Sequence, residues 1–317
     1  MKPQELSKRL FTLPKNSNYN IIILTQNGLR HKRFALRIQK EFPNLVVAWY
    51  QYDRTVESIY RKDIENNIKN NNNDSNKLIK IISYFYKNVV VLIKNPKSVK
   101  NIYYKLKDYL ILKKYYKDYD IIELETFDYE LKLLKKYAVV ENQKINPNDV
   151  NRSEFCKILR NHNAYFLISL GGPLLSDKVI NSVNGLALNQ HAGHSPNYRG
   201  SGTIEWSLYH RDIKSLSNTV HLTTAGADSG PIVRRSNICI HPDDKPQKLF
   251  FKSVALGTEL MIEVINEIIE KDDILVFDQP KSTGTTYLRR DLTKDILLSI
   301  IKDFRNGWLK NAVRRPW

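Results

Sequence analysis

Asn189, His191 and Asp228 are the residues whose types and spacing point to chemistry. Asn189 and His191 lie two apart, directly after the apolar run of residues 185–188. Successive strand residues face opposite sides, so two residues at this spacing project into one cleft. Asp228 sits in Ala225-Gly226-Ala227-Asp228-Ser229-Gly230, where two glycines permit a sharp backbone path. A His accepts a proton near neutral pH. An Asn amide donates to a developing oxyanion, and an Asp orients an imidazole and stabilises its protonated form. This set suits acylation of an amine. Each residue also has a plainer reading: a strand-end His as a structural hydrogen-bonder, and an Asp in a Gly-rich loop as a turn former.

These side chains need a parallel sheet whose strand ends open onto one cleft. Residues 20–25 form a short β-branched run and read as a buried strand. Residues 29–42 place Phe34, Ile38 and Phe42 at helical spacing, and residues 45–49 read as the next strand. Strand, helix, strand opens a βαβ unit. A Lys-, Asn- and Tyr-rich stretch follows, with a low-complexity Asn run at 66–73 and amphipathic helical patterns at 77–86 and 99–113. α/β punctuation then resumes. Helices are expected at 154–160, 174–183, 247–269 and 294–304, and strands at 164–170, 185–188, 219–224, 273–277 and 286–288.

The words around the three residues are more specific. Asn189-Gln190-His191, then Pro196, then Tyr198-Arg199-Gly200 resembles the signature of the folate-dependent formyltransferases, and every fixed position is present. That family's Asp follows a His-containing strand in a loop ending Asp-x-Gly. The corresponding stretch here runs from Thr219 through His221 to Asp228-Ser229-Gly230, with Asp228 lying 37 residues after His191. With less force, residues 23–31 look like the family's opening strand and turn, and 284–291 like the tail of members acting on small substrates.

The resemblance implies an α/β, Rossmann-like formyltransferase fold with a mostly parallel sheet, a mainly helical insertion after the second strand and a short C-terminal segment. It places the catalytic domain at 1–270, the insertion at about 51–140, and the C-terminal segment at 271–317. It implies 10-formyltetrahydrofolate as co-substrate, no metal, and direct transfer by Asn189, His191 and Asp228. Gly171, Gly172, Pro173, Leu174, Ala225 and Asp228 are the expected cofactor contacts, and Arg30, His31, Tyr198 and Arg199 the expected substrate contacts. Arg199 is read equally as a brace of its own loop, and Trp206 as a core residue of the following helix. A homodimer is the family expectation.

The expected acceptor is a nucleotide-linked amino sugar. Only 89 residues follow Asp228, little room for the separate basic barrel of the transfer-RNA formyltransferases. Methionyl-tRNA stays open as the alternative, as does a non-catalytic basic protein binding nucleic acid on the same fold. The net charge of +17 suits a polyanion or a pyrophosphate, although joint enrichment in Lys, Asn, Ile and Tyr is also what AT-rich coding produces. Cys156 and Cys239 are isolated, with no zinc or disulfide spacing. The start is polar, and no apolar run approaches the ~20 residues of a membrane span. A cytoplasmic protein is therefore expected.

Overall fold

The computed structural model describes residues 6–13, 18–52, 96–280 and 282–314. The chain divides into two compact units, residues 1–53 with 120–317, and residues 54–119. The second unit's described residues are the first turns of one long helix. The expected helix at 77–86 and the Asn run at 66–73 lie outside the described residues.

The main unit is built on a nine-stranded sheet. Its strands in chain order are β1 (Lys8–Thr12), β2 (Ile21–Gln26), β3 (Val46–Tyr52), β4 (Asn142–Lys144), β5 (Phe166–Leu170), β6 (Leu186–His191), β8 (Ser217–Leu222), β9 (Ile232–Asn237) and β10 (Asp273–Phe277). β7 (Tyr198–Gly200) and β11 (Thr285–Tyr287) form a separate parallel pair. The large sheet runs β1-β10-β9-β8-β6-β5-β2-β3-β4. As expected, the strands that carry the site, from β6 through β5 and β2 to β4, are parallel. From β6 outward through β8, β9, β10 and β1 the pairing is antiparallel.

The helices are α1 (Leu29–Glu41), α2 (Pro96–Leu134), α3 (Ser153–Asn161), α4 (Asp177–Ile180), α5 (Thr203–Tyr209), α6 (Pro246–Lys271), α7 (Lys294–Arg305) and α8 (Trp308–Val313). One core joins Ile22, Leu24, Tyr50 and Leu167 of the sheet to Phe155 and Leu159 of α3. A second joins Ile204 and Leu208 of α5, Leu249 of α6, Ile300 of α7 and Leu309 of α8. Each fully buried Leu or Ile contributes about 2 kcal/mol, so the apolar runs decide which segments become interior strands. Parallel strands covered on both faces read as continuous apolar runs, as Ile21–Leu24 does here.

Two helix expectations change. The helix expected over 99–113 runs over Pro96–Leu134, because Pro96 suits a first helical position and neither Gly nor Pro interrupts residues 97–134. The helix expected over 174–183 shrinks to Asp177–Ile180. Asn151 takes the Leu174 carbonyl through Nδ2 at 2.8 Å and the Ser176 amide through Oδ1 at 2.7 Å, which satisfies those backbone groups outside a helix.

Candidate active site

β6 carries Asn189 and His191 at its carboxyl end, and the two-residue period directs them to one side. β5 lies beside β6 with Ser169 opposite Asn189. The Ser169 hydroxyl donates to Asn189 Oδ1 at 2.8 Å, so the amide nitrogen is the end that faces the cleft. Asn189 Nδ2 lies 3.2 Å from Asp228 Oδ1 and 3.1 Å from His221 Nε2.

Asp228 is the centre of the group. Its side chain is only 15% exposed, and its backbone takes a left-handed φ of 47°. Oδ2 accepts from the Gly200 amide at 2.9 Å and faces His191 Nδ1 at 3.1 Å. Oδ1 faces His221 Nε2 at 3.2 Å. Burial opposes ionisation of this carboxyl, but His191, His221 and the Gly200 amide outweigh it and hold the carboxyl well below the usual range. Asp228 is a carboxylate at neutral pH.

His191 has both ring nitrogens against oxygen acceptors, Nδ1 at Asp228 and Nε2 at the Tyr198 carbonyl, 2.9 Å away. His221 Nδ1 faces the Leu222 carbonyl at 2.8 Å and therefore carries a proton, leaving Nε2 to the Asn189 amide and Asp228. The result is one buried carboxylate, two imidazoles and one primary amide around a single point, an arrangement equipped to take up a proton and to donate to a developing oxyanion.

β7 supplies the Gly200 amide, and β11 clamps β7. Gly200 has a φ of 86°, and a Cβ there would lie 2.2 Å from the Tyr287 carbonyl oxygen. The close approach of the two strands therefore requires glycine. Trp206 stacks on Tyr287 at 4.3 Å, and Tyr198 stacks on the same ring at 6.1 Å.

The structure thus brings Asn189, His191 and Asp228 together. Of the expected cofactor contacts, Gly171, Gly172, Pro173 and Leu174 form the loop after β5, with Leu174 59% exposed. The Gly171 carbonyl accepts from Gln26 Nε2 at 2.6 Å and from the Tyr52 hydroxyl. Ala225 is exposed at the start of the Asp228 loop. The expected substrate contacts are otherwise engaged. Arg30 pairs with Glu123 at 2.8 Å. His31 is buried beside Gly28 and Gly171, and burial followed by the nearby Arg30 charge pushes its pKa well down. Tyr198 donates its hydroxyl to Asp212 at 3.2 Å. Arg199 is buried and donates to the Thr283 carbonyl at 3.0 Å, the loop-bracing role. The sequence offers His221 only as the histidine of the strand before Asp228 and does not mark Ser169. The register of β8 and β5 against β6 sets both beside Asn189.

Residues 125–265 match the family model described as formyl transferase. This segment, which carries Asn189, His191 and Asp228, is similar to that family. Among curated relatives, the chain is 28% identical over 142 residues to a methionyl-tRNA formyltransferase of Thermodesulfovibrio yellowstonii, covering 44% of this chain and 45% of that one. It is 31% identical over 117 residues to the protein of the same name from Lactobacillus acidophilus, covering 37% of each. The chain spans less than half the length of these curated relatives. Similar solved structures include a 4-N formyltransferase from Francisella tularensis, with a TM-score of 0.47 and 13% identity over 87% of this chain and 78% of that one. A glycinamide ribonucleotide transformylase from Symbiobacterium toebii has a TM-score of 0.47 and 15% identity over 81% and 90%.

Proposed function

We propose that this chain is an N-formyltransferase that moves the formyl group of 10-formyltetrahydrofolate to the primary amine of a nucleotide-linked amino sugar. The observation that carries the formyl-transfer reading is the buried carboxylate of Asp228 in contact with His191, His221 and Asn189. The folate supplies an activated formyl group on nitrogen. Asn189 Nδ2 donates to the carbonyl oxygen as the amine attacks the formyl carbon, and the His191 ring adds a donor once it has taken up the amine's proton. His191 starts neutral, so it takes the amine's proton while Asp228 stabilises the resulting imidazolium, and it gives that proton to the folate nitrogen as its bond to carbon breaks. Asp228 stays ionised and holds the imidazole. The loop of Gly171, Gly172, Pro173 and Leu174 is short of polar side chains, which suits a flat pterin held through backbone groups.

The amino-sugar acceptor is supported by His210 and Tyr287, the more exposed rings of an aromatic group whose Tyr198 and Trp206 are buried and which lies beside the strand that delivers Gly200 to Asp228. Such rings suit a base or a sugar. Methionyl-tRNA is the second reading, favoured by the names of the relatives over the matched segment.

Turnover decides between them. Purified protein and 10-formyltetrahydrofolate are offered nucleotide-linked 3-amino and 4-amino sugars, with methionyl-tRNA in parallel, and tetrahydrofolate release is followed with the product mass. Formylation of one amino sugar is expected. Formylation of the tRNA alone would replace the acceptor, and no formylated amine from either class would end the formyl-transfer reading.

A further inference from the structure

Gln279 lies two residues beyond β10, 51 residues from Asp228 in the chain, and no motif marks it. Its Nε2 donates to two backbone carbonyls, Asp228 at 2.9 Å and Gly230 at 2.6 Å. Two carbonyl acceptors settle which end of the amide is nitrogen, and they use both of its protons. Its Oε1 is buried with no hydrogen-bond partner among the described residues. The loop it closes is the one in which Asp228 holds a left-handed backbone, an uncommon conformation outside glycine that the surrounding hydrogen bonds help to hold.

We propose that Gln279 is a positioning residue that sets the Asp228 carboxylate against His191, a role that rests on the formyl-transfer reading for its catalytic meaning. Gln279 takes the backbone of residues 228 and 230 from one side. The Gly200 amide takes the carboxylate from the other. β10 and β11 flank Gln279 in the chain, and β11 also clamps β7, so a single stretch from 273 to 287 governs both holds. Without the bridge, the carbonyls of 228 and 230 lose their shared donor, and the loop relaxes toward an ordinary backbone. The carboxylate then moves from its 3.1 Å contact with His191 Nδ1.

The test uses the full chain carrying Gln279→Met, which keeps length and bulk without donors, and separately Gln279→Glu, which is near-isosteric. Thermal unfolding checks the fold, and either folded variant suffices. Two readouts follow: kcat and KM for the folate and the accepted amine, and the ring NMR signals of His191 and His221, which need no turnover. The expected result is a kcat lowered at least tenfold with both KM values within about twofold, and shifted signals from both histidines. Unchanged histidine signals with kcat within twofold of the unmodified chain would overturn the proposal. If the unmodified chain formylates no amine, the formyl-transfer reading falls, and the histidine signals still decide whether Gln279 positions Asp228.

Discussion

Asp228 is ionised because His191, His221 and the Gly200 amide stabilise its charge, and that has consequences for substitution and for pH. Asp228→Asn keeps the shape but removes the charge that pairs with His191, and kcat is expected to fall by about 10³-fold. Asn189→Ala removes one oxyanion donor, with an expected loss of about 3 kcal/mol in transition-state stabilisation, or roughly 10²-fold or more in kcat. Steady-state rates on folded variants check both, and near-normal turnover in either would sink the assigned roles. The pH dependence of stability follows from signs. The folded-state pKa of Asp228 lies below its unfolded value near 4, so its stabilisation is present above that value and is lost as pH falls further. His194 titrates higher. Burial, and then the charge of Arg235, against a smaller opposing pull from Asp212, push it down to about 4. The unfolded chain therefore takes up this proton first, and stability falls as pH drops from about 6.5 to about 4. Urea midpoints measured across that range should show the decline, to which buried His31 adds, and His194→Gln should make it shallower. An identical slope in the variant would contradict the assignment.

At the scale of elements, the Asp228 group depends on a three-residue strand that no periodicity announces. β7 exists because β11 pairs with it and because Thr285 donates to the Asn197 carbonyl and Ser201 to that of Tyr287. Gly284, with a φ of 72°, passes so close to Pro196 that a Cβ would lie 1.7 Å from its carbonyl oxygen. Gly200→Ala is expected to separate the strands and withdraw the amide from Asp228. It should lower kcat at least tenfold while the main sheet persists by circular dichroism. Normal kcat in a folded Gly200→Ala protein would show that the clamp is dispensable.

Across the whole main unit, charged residues join helices that are distant in sequence. Arg33, buried on α1, donates to Glu130 of α2 at 3.0 Å and to Glu259 of α6 at 2.9 Å, while Arg37 pairs with Glu259 at 2.9 Å. Both glutamates remain about 40% exposed, so the loss of Arg33 leaves partly hydrated partners. Arg33→Ala is expected to cost about 2 kcal/mol, read as a lower denaturation midpoint. The net charge of +17 gives a further discriminator. A tRNA acceptor would show a KM rising steeply with salt through counterion release, whereas an amino sugar with one pyrophosphate would show a shallow dependence.

Local chemistry by itself determined much of this protein. The β-branched run at Ile21–Leu24 specified a buried strand, the spacing of Phe34 and Ile38 specified the inner face of α1, and the two-residue period of β6 placed Asn189 with His191. Those are short-range properties of side-chain direction, which a sequence carries directly. The choice of partners is a different matter. Arg30 is held by Glu123, 93 residues away, Arg199 by Thr283, 84 residues away, and Asp228 by Gln279, so the arginines expected to meet substrate are occupied within the protein. His221 joins the site only because β8 lies antiparallel to β6 and sets it opposite Asn189. Hydrogen bonds across such separations follow from strand order and register, and only the tertiary structure decides those.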